Sequence, residues 1–164
     1  MQDNDMKDIL KSDLSCADTL QKKAYIFGTL FVLANRLQTL GDAFDPEITL
    51  KQWLFIIVIV KSEKQSLTIS ELAQLIGTSR QNVKKMAAIL ERAGFISFEK
   101  DETDARVLRV ALTEKCFRHF EKRSDLENEF ILKLFDGIND DLVDKMAAGF
   151  SALLDNISEM ENQI

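Results

Sequence analysis

A short run of polar and cationic side chains near the middle of the sequence has the composition of a nucleic-acid contact. Arginine suits guanine, asparagine and glutamine suit adenine, serine suits either, and lysine suits phosphate oxygens. The run comprises Thr78, Ser79, Arg80, Gln81, Asn82, Lys84 and Lys85. These residue types predict contact with the base edges and phosphates of double-stranded DNA. An ordinary solvated helix face is the alternative, because most polar stripes are no more than that.

Two predicted helices joined by a tight turn would position these side chains. Thr68 and Glu71 have the spacing of a capping box at the start of the first helix, and Gly77 can end it with a positive φ. Thr78 and Gln81 have the same spacing, which predicts Thr78 as the N-cap of the second helix. A helix-turn-helix is therefore expected.

Each helix of this pair has an apolar face. In the first helix it comprises Leu72, Ala73, Leu75 and Ile76. In the second it comprises Val83, Met86, Ala87 and Leu90. Because these residues recur at helical spacing, they should face inward, which turns the polar and cationic side chains outward.

An alternating segment follows the second helix directly. Gly94 is suited to a left-handed position at the helix end, with Phe95 packing back on the helix. Apolar residues then alternate with polar ones over residues 96–99 and 108–112, which predicts a two-stranded hairpin. Its charged tip, residues 101–106, would project as a wing, and Arg106 could enter a minor groove. Asp104 would be repelled by phosphate, so its expected role is to hold and orient Arg106.

The helix-turn-helix LTISELAQLIGTSRQNVKKMAAILERAGFI and the wing motif Asp104-x-Arg106 with its Leu112-Thr113 exit resemble the MarR-type winged helix-turn-helix regulators of bacteria. The resemblance implies a homodimeric transcription factor whose second helix enters the major groove and whose wing arginine enters the minor groove. It also implies control by a small effector, by thiol oxidation or by a metal. Many regulators of this type are repressors released by small phenolic ligands.

Helices are also predicted on both sides of this module. From residue 15 or 18 to Gly41, two adjoining apolar stripes must be covered from two directions. Residues 53–60 are all apolar and fit a buried strand or a helix, but the Thr49–Gln52 capping box and the resemblance favour a helix. Beyond the wing, Thr113 can cap a helix to about residue 136, Gly137 breaks it, and another helix should span about residues 140–162.

The last of these helices carries an apolar seam. Its members are Leu142, Met146, Phe150, Leu153, Ile157, Met160 and Ile164. Such spacing predicts helix pairing, so residues 15–41 and 114–164 are interpreted as dimerisation helices; an intramolecular hairpin is the alternative. We therefore expect residues 1–164 to form a single domain, mainly α with a small β-hairpin, in which residues 49–112 are the winged helix-turn-helix.

Charge and hydropathy narrow the class of protein. The net charge is −6, but four cations and one carboxylate give residues 79–92 a local charge of +3. An acidic body with a locally basic helix fits an oriented DNA-binding protein. Residues 1–20 do not have the form of a secretory leader, and no apolar run approaches the ~18 residues that span a membrane. We expect a cytoplasmic protein without a membrane partner.

The sequence gives little support for thiol sensing, metal binding or catalysis. Cys16 lies where peroxide-sensing relatives of the resembled family carry a reactive cysteine, but the flanking Asp13 and Asp18 would disfavour its thiolate; thiol sensing remains an alternative. His119 is the only histidine, so no metal site is predicted. The sequence has no nucleophile–base pair, phosphate loop or Cys-x-x-Cys motif, so neither an enzyme nor a resident cofactor is predicted.

These observations predict a sequence-specific regulator of transcription that binds double-stranded DNA as a homodimer. Two reading helices related by a two-fold axis would meet successive major grooves about 34 Å apart, which favours a palindromic operator. By resemblance we expect a repressor released by a small aromatic effector. A winged-helix module that contacts protein or RNA is the alternative.

Overall fold

The computed structural model describes residues 14–64, 66–101, 103–104 and 106–163. This part of the chain contains six helices and three short strands. In order they are α1 Thr19–Phe44, α2 Leu50–Lys61, β1 Ser66–Thr68, α3 Ile69–Ile76, α4 Arg80–Arg92, β2 Ile96–Lys100, β3 Leu108–Leu112, α5 Glu114–Leu134 and α6 Asp140–Glu161. The predicted fold class, mainly α with a small β element, is confirmed.

The sheet is larger than the predicted hairpin. It has three antiparallel strands in the order β1-β3-β2. Val110 lies in the middle strand, opposite Phe98 of β2 and Leu67 of β1. The alternation pattern misses β1 because that strand is three residues long and buries only Leu67. Its pairing joins the start of α3 to the wing and covers one edge of β3.

The buried core lies within residues 48–116. The inner face of α4 contributes Val83, Ala87 and Leu90, none of them more than 1% exposed. The other buried apolar residues are Ile48, Phe55, Ile56, Ile59, Leu67, Leu72, Ala73, Phe95, Ile96, Val110, Ala111 and Cys116. The described part of α6 contributes no buried residue, and α1 contributes only Gly41. Among the described residues, α2, the helix-turn-helix, the sheet and the first turn of α5 therefore contain most of the core.

One residue of the predicted α3 face lies outside this core. Leu75 is 59% exposed, whereas Leu72 and Ala73 are buried and Ile76 is half-buried. At 3.6 residues per turn, Leu75 lies about 160° from Ala73 around the helix axis. An eight-residue helix packed on one side therefore leaves Leu75 at the edge of its apolar face.

Capping boxes begin α2 and α3, as predicted. Thr49 Oγ1 accepts from the backbone N–H of Gln52 (3.3 Å), and Gln52 Oε1 accepts from that of Thr49 (2.8 Å). Thr68 and Glu71 make the equivalent pair at 3.2 and 2.8 Å. These contacts satisfy N–H groups that have no partner within a helix. The apolar run of residues 53–60 is accordingly helical rather than a strand.

The first helix extends beyond its predicted end. It begins after Asp18, which forms a capping box with Gln21, and continues past Gly41 to Phe44. Gly41 is buried, and a Cβ placed on it would lie 2.9 Å from Cβ of Leu50. The absence of a side chain therefore permits a close approach of α1 and α2 instead of ending α1.

From Phe117 onward the chain forms a second compact unit that contains most of α5 and all of α6. Gly137 follows α5 with a φ of +77°, and Asn139 caps α6 by accepting from the N–H of Leu142 at 2.9 Å. The helix break and the start of α6 are thus confirmed. Ile164, the last member of the seam, lies outside the described residues. Within the described ranges, the helices all fall short of the length and hydrophobicity needed to cross a membrane.

The contact of α1 with α2 can be tested at Gly41. The substitution Gly41→Ala should destabilise the protein by about 1–3 kcal/mol, because the new methyl group would overlap Leu50. Gly28→Ala in the same helix is the matched control, because its Cβ would meet nothing within 4 Å. That control should be neutral or more stable by up to about 1 kcal/mol. Urea denaturation measures both variants, and equal midpoints would contradict the close approach.

Candidate nucleic-acid interface

The start of α4 differs from the prediction by one residue. Ser79, not Thr78, is the N-cap, and its Oγ accepts from the backbone N–H of Asn82 at 3.2 Å. Thr78 Oγ1 instead accepts from the side-chain amide of Asn82 at 3.3 Å. The predicted Thr78–Gln81 capping box is wrong because Gly77, with a φ of +72°, and Thr78 both belong to the turn. The 73–78 backbone hydrogen bond, from Thr78 N–H to Ala73 O (3.0 Å), places Thr78 before the helix.

The outward face of α4 is open to solvent along its first two turns. Val83, Ala87 and Leu90 point into the core and Met86 is half-buried, whereas Lys84 and Lys85 between them are exposed. Thr78 is half-buried, and the exposed residues of the predicted set are Ser79, Arg80, Gln81, Asn82, Lys84 and Lys85. The structure thus brings the predicted contact residues together on one helix face.

The far end of α4 is fixed by a left-handed glycine and two side chains. Gly94 has a φ of +78°, and the N–H of Phe95 donates to Leu90 O at 2.9 Å, as in a Schellman motif. Thr113 Oγ1 donates to Gly94 O at 2.6 Å. Lys115 Nζ donates to Ala93 O at 2.9 Å and lies 4.4 Å from the Phe95 ring centroid. The wing exit and the end of α4 are therefore held together.

The wing presents Arg106 and joins it to Asp104. Asp104 Oδ1 accepts from the backbone N–H of Arg106 at 3.0 Å and from its Nε at 3.3 Å. The side chain of Arg106 is 93% exposed. Glu102 and Ala105, which belong to the predicted tip, lie outside the described residues. The contact between Asp104 and Arg106 has the geometry that an orienting role requires; the role itself remains a prediction.

A second arginine of the wing was not singled out from the sequence. Arg109 Nε donates to Asp101 Oδ2 at 2.5 Å, and its Nη1 donates to Ser66 O at 3.1 Å. Arg109 Nη1 also lies 3.7 Å from Glu71 Oε2. The signal that could have revealed this contact is an acidic residue after one strand of the hairpin and a basic residue early in the next. Opposite charges at the two ends of a hairpin loop can meet across it.

Two carboxylates beside the wing have lowered pKa values. Hydrogen bonds from Thr103 and Arg109 hold the pKa of Asp101 well below its ordinary range. Hydrogen bonds from the Lys64 ammonium and the Thr68 backbone lower the pKa of Glu71 from 4.5 to about 2. Both carboxylates are therefore negatively charged throughout the near-neutral pH range in which the protein would meet DNA.

The remaining candidate groups are separate from this surface in sequence. Cys16 is exposed, and the Ser15 hydroxyl lies 3.7 Å from its sulfur. Cys116 is buried, and burial raises the pKa of its thiol to about 11. His119 packs edge-on against Phe120 with ring centroids 5.6 Å apart. Among the described residues, no group of three or more His, Cys, Asp or Glu side chains could hold a metal ion.

Comparison with known proteins gives a family for the central part of the chain. The model of the MarR family matches residues 48–108. These residues form a MarR family domain. The transcriptional repressor MprA of Escherichia coli is 26% identical over 109 residues, which cover 66% of this chain and 62% of MprA. The chain therefore matches less than two thirds of the length of this relative, and the match supports the MarR resemblance.

Solved structures support the same fold for the MarR domain and its flanking helices. A MarR family transcriptional regulator from Silicibacter pomeroyi has a TM-score of 0.74 at 16% identity, covering 88% of this chain and 97% of that one. The structure of S. aureus MepR in complex with DNA has a TM-score of 0.69 at 19% identity, covering 80% and 97%. At these identities the likeness shows the fold.

The ion pairs of Glu71 predict how stability depends on pH. Its folded pKa, about 2, lies below the ordinary 4.5, so the charged carboxylate stabilises the fold above pH 4.5 and this contribution disappears as the pH falls through 2. Glu71→Gln keeps a capping oxygen but loses the charge, and should cost about 1 kcal/mol at neutral pH. Urea denaturation at successively lower pH should show that the difference in unfolding free energy between the wild-type chain and Glu71→Gln becomes smaller.

The control for this experiment is Glu63→Gln, which removes a charge from an exposed side chain in the preceding turn. It should change stability by less than about 0.5 kcal/mol at neutral pH. A Glu71→Gln deficit that stays constant down to the acid limit would contradict the ion-pair explanation.

Proposed function

We propose that the chain is a sequence-specific regulator of transcription that binds double-stranded DNA through α4 and the wing. The observation that carries the proposal is the exposed face of α4, where Arg80, Gln81 and Asn82 can meet base edges while Lys84 and Lys85 meet phosphates. An α-helix with such a face fits the major groove of B-DNA. Arg106 on the wing would enter the adjacent minor groove.

The charge distribution supports this orientation. The chain carries a net charge of −6, yet residues 79–92 carry +3. Phosphate repels most of the acidic surface and attracts this helix, so α4 is the surface that approaches DNA. Structural likeness to MepR, which was solved in complex with DNA, agrees with the same use of the fold.

The proposed active form is a homodimer. Phe27 and Phe31 of α1 are 66% and 60% exposed, and their rings contact each other edge to face with centroids 5.2 Å apart. The seam of α6 is also exposed: Leu142, Phe150, Leu153, Ile157 and Met160. A second copy of the chain would remove this apolar surface from water, as the seam pattern predicts. Two α4 helices would then read a palindromic operator.

Repression and release by a ligand complete the proposal. MprA, the relative of the MarR domain, is a transcriptional repressor, and we extend that role to this chain. The resemblance to MarR-type regulators implies a small aromatic effector that releases the protein from its operator. An effector that binds the free protein better than the DNA-bound protein would lower the affinity for DNA. The factor equals the ratio of the effector's affinities for the two forms.

Substitutions on α4 separate base reading from phosphate contact. Arg80→Ala should cost about 1–3 kcal/mol of binding free energy and relax the base preference. Lys84→Ala should weaken binding to all sequences alike and reduce the salt slope by about one unit. Fluorescence anisotropy would use duplexes that the wild-type chain selects from a random-sequence library.

Lys145→Ala is the control for this experiment, because Lys145 lies on α6 and pairs with Asp141. It should leave both affinity and salt slope unchanged. Salt-insensitive binding with no preference for duplex would instead favour contact with protein or RNA.

Association can be tested on α1. Phe27→Asp places a charge within the exposed apolar surface, so it should shift sedimentation equilibrium from dimer toward monomer and weaken operator binding at least about tenfold. Asn35→Asp adds the same charge at an exposed polar position of α1 and should remain dimeric. A wild-type chain that sediments as a monomer would contradict the homodimer.

A further inference from the structure

Charged side chains at the base of the wing connect it to the helix-turn-helix. Arg109 on β3 bonds to Asp101, which directly follows β2, and lies beside Glu71 of the capping box of α3. The side chains of Arg109 and Asp101 are only 26% and 10% exposed. Water therefore screens this pair less than it screens an ordinary surface ion pair. The Ser66 carbonyl, which also binds Arg109, adds β1 to the same group.

Asp101 uses its second oxygen to order the wing loop. Asp101 Oδ1 accepts from the N–H and hydroxyl of Thr103 (2.8 and 2.6 Å) and from the N–H of Asp104 (3.1 Å). Asp104 in turn accepts from the backbone and side chain of Arg106. Hydrogen bonds thus lead from Arg109 through Asp101 and Asp104 to the exposed Arg106, and a 3.7 Å ion pair adds Glu71 to this set.

The pairing of wing carboxylates with arginines favours approach to DNA. A wing that approaches phosphate with unpaired carboxylates would be repelled. Asp101 is paired with Arg109, and Asp104 is paired with Arg106. Ordering a long arginine side chain on binding also costs entropy, which a preorganised loop reduces.

We propose that Asp101 and Arg109 are positioning residues, which order the wing and thereby hold Arg106 at a fixed distance from α4. The inference rests on the proposed DNA binding and deepens it. Arg109 itself stays at the base of the wing, while Arg106 alone of the two reaches the minor groove. The spacing between the major-groove contacts and the minor-groove contact is then set by the Asp101–Arg109 pair.

The first test uses the free full-length chain. Asp101→Asn removes the charge that pairs with Arg109 but leaves an oxygen that can accept from Thr103. Glu63→Gln removes the same charge from an exposed position in the turn before β1 and is the control. Amide order parameters of Thr103, Asp104 and Arg106 from NMR relaxation should fall from about 0.85 to below about 0.6 in Asp101→Asn alone. Unchanged order in that variant would overturn the proposal, whether or not the chain binds DNA.

The second test uses a duplex selected by the wild-type chain from a random-sequence library. Asp101→Asn should bind it roughly tenfold more weakly than Glu63→Gln does. Hydroxyl-radical footprinting should show that minor-groove protection is lost, while dimethyl sulfate protection of guanines in the major groove persists at saturating protein. Arg106→Ala should lose the same protection, and adding Asp101→Asn to it should weaken binding no further.

The outcomes separate the two proposals. Equal affinity of Asp101→Asn and Glu63→Gln, with minor-groove protection intact, would overturn the positioning role. The positioning role would also be overturned if the losses of binding free energy in Asp101→Asn and Arg106→Ala were fully additive, because the two residues would then act independently. Failure of the wild-type chain to select any duplex would overturn the proposed function, and the order parameters would still decide whether the pair holds Arg106.

Discussion

Burial of one face of α4 is the constraint on which the rest of the structure depends. Val83 and Ala87 are fully buried and Leu90 is 1% exposed, so rotation of the helix about its axis would move apolar side chains into water. Burial of Val83 and of Leu90 contributes about 1.5–3 kcal/mol each, which fixes the orientation of the helix firmly. The direction of Arg80, Lys84 and Lys85 is a consequence of this packing, not of any contact that they make themselves.

The ends of α4 turn that orientation into a defined position. At one end, Ser79 caps the helix after the left-handed turn at Gly77. At the other, Gly94 reverses the chain and Thr113 bonds back to it from the wing exit. Strand β2 begins only two residues after Gly94, so the connection between α4 and the wing is short. The proposed interface is therefore one unit made of a helix and a hairpin, joined by buried contacts and by the hydrogen bonds of Thr113 and Lys115 to the end of α4.

The distribution of apolar surface separates two tasks along the chain. Among the described residues, the buried apolar side chains lie within residues 48–116, where a core of fifteen residues supports the MarR domain. In α1 and α6 many large apolar side chains remain exposed, including Leu20, Phe27 and Leu154. A single chain gains little from such residues, whereas a second copy could bury them. Dimer formation and DNA contact would thus depend on different segments of one short protein.

The sequence by itself determined the features that depend on neighbours along the chain. Capping boxes at Thr49 and Thr68, the glycine after α4, and the apolar stripe of α4 all act over three or four residues, and the structure confirmed them. What only tertiary structure decided involves distant partners. Gly41 lies inside α1, where its missing side chain permits the approach of Leu50. Arg109 meets Asp101 and Glu71 only after the sheet forms. Local patterns cannot show such contacts, because packing between elements brings their partners together.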